Sequence, residues 1–264
     1  MLQTTARPMP NLDIHLFPCL KDNYGVLIRD AESDVTAAID APDAAAVEQA
    51  LQEKGWRLTH IFTTHHHNDH TGGNLALKEQ TGCTIVGPRG EAARIPGLDK
   101  AVSERDEVQF GQFTVQVLET PGHTLGHISY YIPRAAVAFV GDTLFTLGCG
   151  RVFEGSYEMM WDSLKKLSRL PAKTMIFCGH EYTMANAKFA LIVDPDNVAL
   201  KRRVAEFEAL RAKGEPTVPT QLSAELDTNP FLRAHSASIR ERLKLGAAAD
   251  WKMFAELRER KNKA

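Results

Sequence analysis

Apolar positions follow two different periods along this chain. As far as Asp142 they come in brief runs, rich in β-branched and aromatic residues and closed by Gly, Pro or Asp. "NYGVLIRD", "VTAAID", "HIFTT", "CTIVG", "FTVQVLET", "ISYYI" and "AVAFVGD" predict strands of this kind. Two helical patterns lie among them. "DAAAVEQALQEKG" begins after "AP" and stops at Lys54-Gly55, and "GGNLALKEQTG" behaves similarly. Strands alternating with helices predict a layered α/β architecture, with helices covering sheet faces. From about residue 157 the period lengthens. Trp161, Leu164, Leu167 and Leu170 recur at helical spacing, then Val204, Phe207 and Leu210, then Trp251, Phe254 and Leu257. The C-terminal third therefore reads as a small helical domain, with "GEPTVPTQLSAELDTNPFLR" as a Pro-containing connector.

Composition narrows the class. The 264 residues are 44% hydrophobic and 24% charged, which allows a sizeable core. A net charge of −2 gives no reason to expect a polyanionic partner such as nucleic acid. No apolar run is long enough to span a bilayer, so no membrane partner is expected, and "MLQTTARPMP" lacks the apolar middle of a signal peptide and reads as a loose tail. Cys19, Cys83, Cys149 and Cys178 are widely spaced without a C-x-x-C pair, which suits free thiols and a cytoplasmic address.

The chemistry is concentrated in "TTHHHNDHTGG", where four histidines and an aspartate occupy six positions. Each imidazole brings two polar nitrogens that need partners, so packing alone does not explain such crowding. The stretch leaves a strand and enters a helix. In an extended segment His65 and His67 project to one side and His66 to the other, so the first two can clasp one metal ion. Asp69 and His70, at the helix entrance, can hold a second. Further ligands are expected at the ends of other predicted strands: His123 in "ETPGHTLGH", Asp142 in "FVGDTLF" and His180 in "IFCGHEY". With Asp142 as a bridging carboxylate, His65, His67 and His123 serve one ion, and Asp69, His70 and His180 the other. His66, His127, His15, His60 and His235 are left out of this set, His127 as a supporting or core residue. Tyr24, Trp161 and Trp251 read as packing.

"HHHNDH" fits the H-x-H-x-D-H signature of the metallo-β-lactamase superfamily, and "TPGHTLGH", "VGDTLF" and "CGHEY" follow in that superfamily's order. Closer still, "GDTLFTLGCGRVFEG", "CGHEYT", "PTVPTQL" and "NPFLR" resemble the glyoxalase II (hydroxyacylglutathione hydrolase) family, over nearly the whole chain. The resemblance implies an αββα sandwich over residues 11–180 and a helical substrate-binding domain over 181–264. It implies a binuclear thioesterase that converts S-D-lactoylglutathione to D-lactate and glutathione, the second step of methylglyoxal detoxification, with Asp69 and Asp142 at the reacting centre. It places Arg151, Tyr182, Arg258 and Lys261 against glutathione, whose two carboxylates call for cations. Arg151 stands where many members carry Lys, and Phe153 where many carry Tyr, so Phe153 is left off the binding set. The expected cofactor is two divalent ions per chain, zinc first, with iron or manganese as alternatives. The expected partner is the small thioester alone, and the expected state a monomer.

Other classes fit less well. A persulfide dioxygenase with a single iron uses a similar motif set, and is expected to lack the helical third with "NPFLR". A β-lactam hydrolase commonly has another residue at the His70 position. A nuclease needs a basic face, and a structural zinc site is a closed cage of four ligands.

Overall fold

The structure is a computed structural model and describes residues 11–264; the expected N-terminal tail lies outside these. The first sheet contains, in order across it, β1 (Leu12–Cys19), β2 (Asn23–Asp30), β3 (Val35–Ile39), β4 (His60–Phe62), β5 (Thr84–Pro88) and β6 (Lys100–Val102). The second contains β7 (Glu107–Phe110), β8 (Phe113–Glu119), β9 (Ile128–Ile132) and β10 (Val137–Phe139). After a two-stranded ribbon, β11 (Leu144–Phe145) with β12 (Gly148–Cys149), it is completed by β13 (Met175–Phe177) and β14 (Thr220–Gln221). The expected αββα layering is what the chain adopts.

Side-chain alternation explains the layers. In the central strands of the first sheet, Val26, Ile28, Ala37, Ile39, Phe62 and Val86 point toward the second sheet. The intervening Leu27, Ala38, Ile61 and Ile85 point outward, against Val47, Ala50 and Leu51 of α1 (Ala44–Lys54). Both faces are buried, which is why these strands read as unbroken apolar runs. Between the sheets the rings of Phe62, Phe110 and Tyr130 interlock, at centroid separations of 5.8 and 5.3 Å from Phe62. The helix α1 is bounded as its sequence predicts, by Asp43, whose carboxylate accepts from Ala46 N at 2.9 Å, and by Gly55 in the left-handed region. The short α2 (Asn68–Thr71) and α3 (Asn74–Thr81) follow the histidine-rich loop, and α4 (Tyr157–Ser168) covers the second sheet.

After His180 the chain forms α5 (Thr183–Val193), α6 (Val198–Ala212), α7 (Leu222–Thr228), α8 (Ala237–Leu243) and α9 (Asp250–Lys263). Trp161 of α4 packs at a tilt against Phe254 of α9, with ring centroids 5.9 Å apart, and Phe254, Leu257 and Phe231 belong to the same buried cluster as the inter-sheet core. The segment read as a connector is more structured than its prolines suggest. Thr220 and Gln221 pair antiparallel with β13 as an edge strand, where Pro219 just outside the ladder is tolerated, and α7 follows at once. β1 was likewise not anticipated. No helix among the described residues is long and apolar enough to cross a membrane.

Candidate functional site

Five strand ends deliver the chemistry to one rim. Parallel pairing of β3 with β4 and of β10 with β13 aligns their carboxyl ends. Asp40, His65, Asp142 and His180 all follow these ends closely, and His123 follows β8. The sheets meet there: Asn23 bridges His180, Tyr24 N donates to Gly179 O at 2.8 Å, and Glu181 N donates to Asp22 O at 2.8 Å.

All seven ligands expected from the sequence converge. His65 Nε2 and His123 Nε2 lie 3.1 and 3.0 Å from His67 Nδ1. His180 Nε2 and His70 Nε2 lie 3.4 and 3.8 Å from Asp69 Oδ2. Asp142 reaches both groups, with Oδ1 3.5 Å from His70 Nε2, and Oδ2 3.5 Å from His123 Nε2 and 3.4 Å from His180 Nε2. The donor atoms of His65, His67 and His123, and those of Asp69, His70 and His180, each fall within 4.8 Å of one another. Gly179 must be glycine for this approach, since a Cβ there would meet both Asp142 Oδ1 and His70 Cε1 at 2.7 Å.

Burial and charge make this cluster a cation site. Burial, reinforced by neighbouring imidazoles, holds His65 well below its ordinary pKa and lowers His67, so both offer lone pairs at neutral pH. Burial also lowers His123, against the pull of Asp142. For His70 burial works the same way, but the carboxylates of Asp142 and Asp40 outweigh it and raise the pKa well above normal. Burial would raise Asp142, yet His70 and His180 hold it well below the usual carboxylate range. Among the described residues His70 Nε2 and Asp142 Oδ1, both buried, find no hydrogen-bond partner, an arrangement that costs free energy unless a cation is bound between them. A divalent cation held by the converging lone pairs would satisfy both atoms, so the residues fit the kind of group the sequence implies.

Four of the five imidazoles are oriented from behind. His70 Nδ1 lies 2.8 Å from Asp40 Oδ2, His180 Nδ1 3.0 Å from Asp22 Oδ1, His123 Nδ1 2.9 Å from the carbonyl of Arg151, and His65 Nδ1 3.0 Å from Thr64 Oγ1. Asn23 Nδ2 donates to Asp69 Oδ2 at 3.2 Å, and His127 Nε2 accepts from Asp142 N at 3.1 Å. His127 therefore supports the site, as its sequence context suggested. Asp40, Asp22 and Asn23 were missed. Asp40 carried a usable signal, because it closes the apolar run "VTAAI" as Asp142 closes "VAFV".

A cleft of ≈ 590 Å³ opens over the cluster, lined in part by Phe145, Arg151, Phe153, Tyr182, Arg258 and Lys261. Tyr182 stacks on His180, with ring centroids 4.7 Å apart. Phe153 is exposed at the mouth and packs edge-on against His123 at 5.2 Å. Arg258 is only 4% exposed; its Nη1 donates to Cys149 O at 2.8 Å and its guanidinium lies over Phe231. It ties α9 to the ribbon that follows Asp142, a structural duty beyond docking. Lys261 is less committed: its ammonium donates to Ala185 O at 2.8 Å, and burial, then Arg258, Arg151 and Lys188, lower its pKa.

Comparison with known proteins agrees with this geometry. Residues 30–180 match the metallo-beta-lactamase superfamily, and residues 181–264 match the hydroxyacylglutathione hydrolase C-terminus. A Brucella anthropi protein named hydroxyacylglutathione hydrolase is 56% identical over 253 residues, covering 96% of this chain and 97% of its own. Among solved structures, ETHE1 from Myxococcus xanthus is 29% identical with a TM-score of 0.65, covering 94% of this chain and 98% of its own. TTHA1623, solved in a di-iron-bound form, is 25% identical with a TM-score of 0.58, covering 80% of this chain and 95% of its own. The shared fold, the convergent ligands and the near full-length identity lead to one assignment: the chain belongs to the hydroxyacylglutathione hydrolase family of the metallo-beta-lactamase superfamily.

Proposed function

We propose that the protein is a binuclear metal-dependent thioesterase that hydrolyses S-D-lactoylglutathione, or a related 2-hydroxyacyl thioester, to the hydroxy acid and glutathione. The observation that carries this reading is the junction of the seven-ligand cluster with a cleft lined by Arg151, Arg258 and Lys261. His65, His67 and His123 would hold one ion and Asp69, His70 and His180 the other, with Asp142 between them. Divalent ions there supply Lewis acidity and a water of lowered pKa, zinc being the expected metal and iron or manganese chemically acceptable. Asp69, fixed by Asn23 and half exposed to the cleft, accepts a hydrogen bond from the attacking water and orients it. The leaving group is a thiolate, a weak base, so the site needs no dedicated proton donor. Tyr182 and the three cations hold the glutathione portion, its carboxylates facing the positive charge.

The division into a catalytic part, 11–180, and a binding part, 181–264, goes with this reading. One chain provides every group the reaction needs, so a monomer suffices. All four thiols are free and buried, which supports a reducing compartment such as the cytoplasm. The single-iron persulfide dioxygenase is disfavoured by the match of residues 181–264 to the hydroxyacylglutathione hydrolase C-terminus.

Lys261 gives the cleanest test of glutathione recognition, because Arg258 is also part of the core. A charge-assisted contact is worth about 1.5–3 kcal/mol, roughly ten- to a hundredfold in affinity. Lys261→Ala is expected to raise KM for S-D-lactoylglutathione by about that factor with kcat and metal content near normal. A small thioester lacking the glutathione carboxylates should be a poor substrate for both proteins, equally so. An unchanged KM, or an equal loss on the small thioester, would count against glutathione docking at this position.

A further inference from the structure

His66, the histidine turned away from the ligand cluster, leads to a buried carboxylate outside the ligand set. Glu91 lies in the 3-10 turn Arg89–Arg94 and is 2% exposed. Its Oε2 accepts from His66 N at 2.8 Å and lies 2.7 Å from His66 Nδ1, while Oε1 accepts from Gly126 N at 2.9 Å. One carboxylate thus joins two loops: the one that carries His65 and His67, and the one that carries His123. A second strap runs parallel to it. Arg94 bonds His66 Nε2 and, at 2.6 Å, Glu154 Oε1, and Glu154 Oε2 accepts from Leu125 N at 3.1 Å. Arg94 can only donate, so Nε2 of His66 accepts and Nδ1–H is left to donate to Glu91. The fold makes room for the joint. Gly126 packs against the Glu91 turn so closely that a Cβ there would sit 2.6 Å from Glu91 Cγ and 3.0 Å from Gly90 C.

We propose that Glu91 is a positioning residue for the metal centre, setting the distance between the His65/His67 pair and His123. The proposal rests on the reading of those three histidines as ligands of one ion. Its chemistry is specific: every group that Glu91 holds is an N–H donor, so both of its oxygens must accept. Glutamine has the same shape but would turn an NH2 against one of these donors, breaking one tether. If Glu91 merely filled space, glutamine would serve as well.

The test is zinc binding by the protein in competition with a chromophoric chelator. The parent is expected to bind two ions. Glu91→Gln should weaken one of them ~10–100-fold, the typical cost of losing a group that orients a ligand, and leave the other unchanged. Gly126→Ala should give the same selective loss from the opposite side of the joint, and it carries the test should Glu91→Gln not fold. The double variant should be little worse than either single one, because both break the same contact. Parental affinity at both ions in Glu91→Gln and Gly126→Ala, or equal weakening of both ions, would overturn the proposal while leaving the metal reading intact. A parent that binds no zinc would overturn both.

Discussion

Replacing Asp142 with alanine is expected to lower metal content at both halves of the site and to cut thioester hydrolysis by more than about 100-fold. Losing a group that only orients a ligand typically costs ~10–100-fold in metal affinity or activity, and a bridging ligand should cost more. The expectation follows from position. Among the described residues Asp142 is the one carboxylate within 3.5 Å of histidines from both groups, touching His123 on one side and His70 and His180 on the other. His180→Ala removes a ligand from one group only and should mainly empty that half. Metal analysis of the two purified variants separates the cases. Equal losses of a single ion in both would show that Asp142 does not bridge.

The second large effect is expected at a residue outside the ligand set. Glu225 is fully buried in α7. Its Oε1 accepts from Arg203 Nη2 at 2.7 Å and Thr220 Oγ1 at 2.8 Å, and its Oε2 accepts from Leu147 N at 2.9 Å and Asn229 Nδ2 at 3.0 Å. Asn229 in turn donates to the carbonyls of Phe145 and Gly148 at 3.1 and 2.9 Å. The helical third therefore grips the ribbon that follows Asp142, as well as lining the cleft. Glu225→Ala would strand the Arg203 guanidinium, itself only 8% exposed, without its carboxylate. Breaking a buried pair on one side costs about 3–5 kcal/mol. At ~2–4 °C per kcal/mol for a chain of this size, Tm should fall by roughly 6–20 °C. Metal content below the transition should stay at the parental level, since no ligand is touched. A thermal melt with metal analysis checks both points, and a Tm within a degree or two of the parent would refute the clamp.

What could be read from the sequence depended on whether a residue's task leaves a local pattern. The ligands did, because "HHHNDH" is locally dense and the others each close an apolar run before a turn. The inner strands did, since burial on both faces makes them plain apolar runs. β1 leaves a different one: Leu12, Ile14 and Leu16 alternate with Asp13 and His15, the period-two pattern of an edge strand rather than a plain apolar run. α5 left none, because apolar residues also stand on its exposed side, as at Ala185 and Ile192, and blur the helical stripe. Asp40, Asp22 and Glu91 act through partners 30, 158 and 25 to 35 residues away, separations no local pattern records. The family resemblance makes Arg258 a docking cation, yet its bond to Cys149 gives it a structural role that no sequence motif reveals.

The central claim is that this cluster holds the metal on which thioester hydrolysis depends. The most direct measurement follows S-D-lactoylglutathione hydrolysis and metal content in the same sample, before chelation, after it, and after zinc, iron or manganese is returned. Activity should fall with the metal, reach background when the protein is stripped, and return as two ions per chain rebind. Full hydrolysis by rigorously metal-free protein would contradict the account.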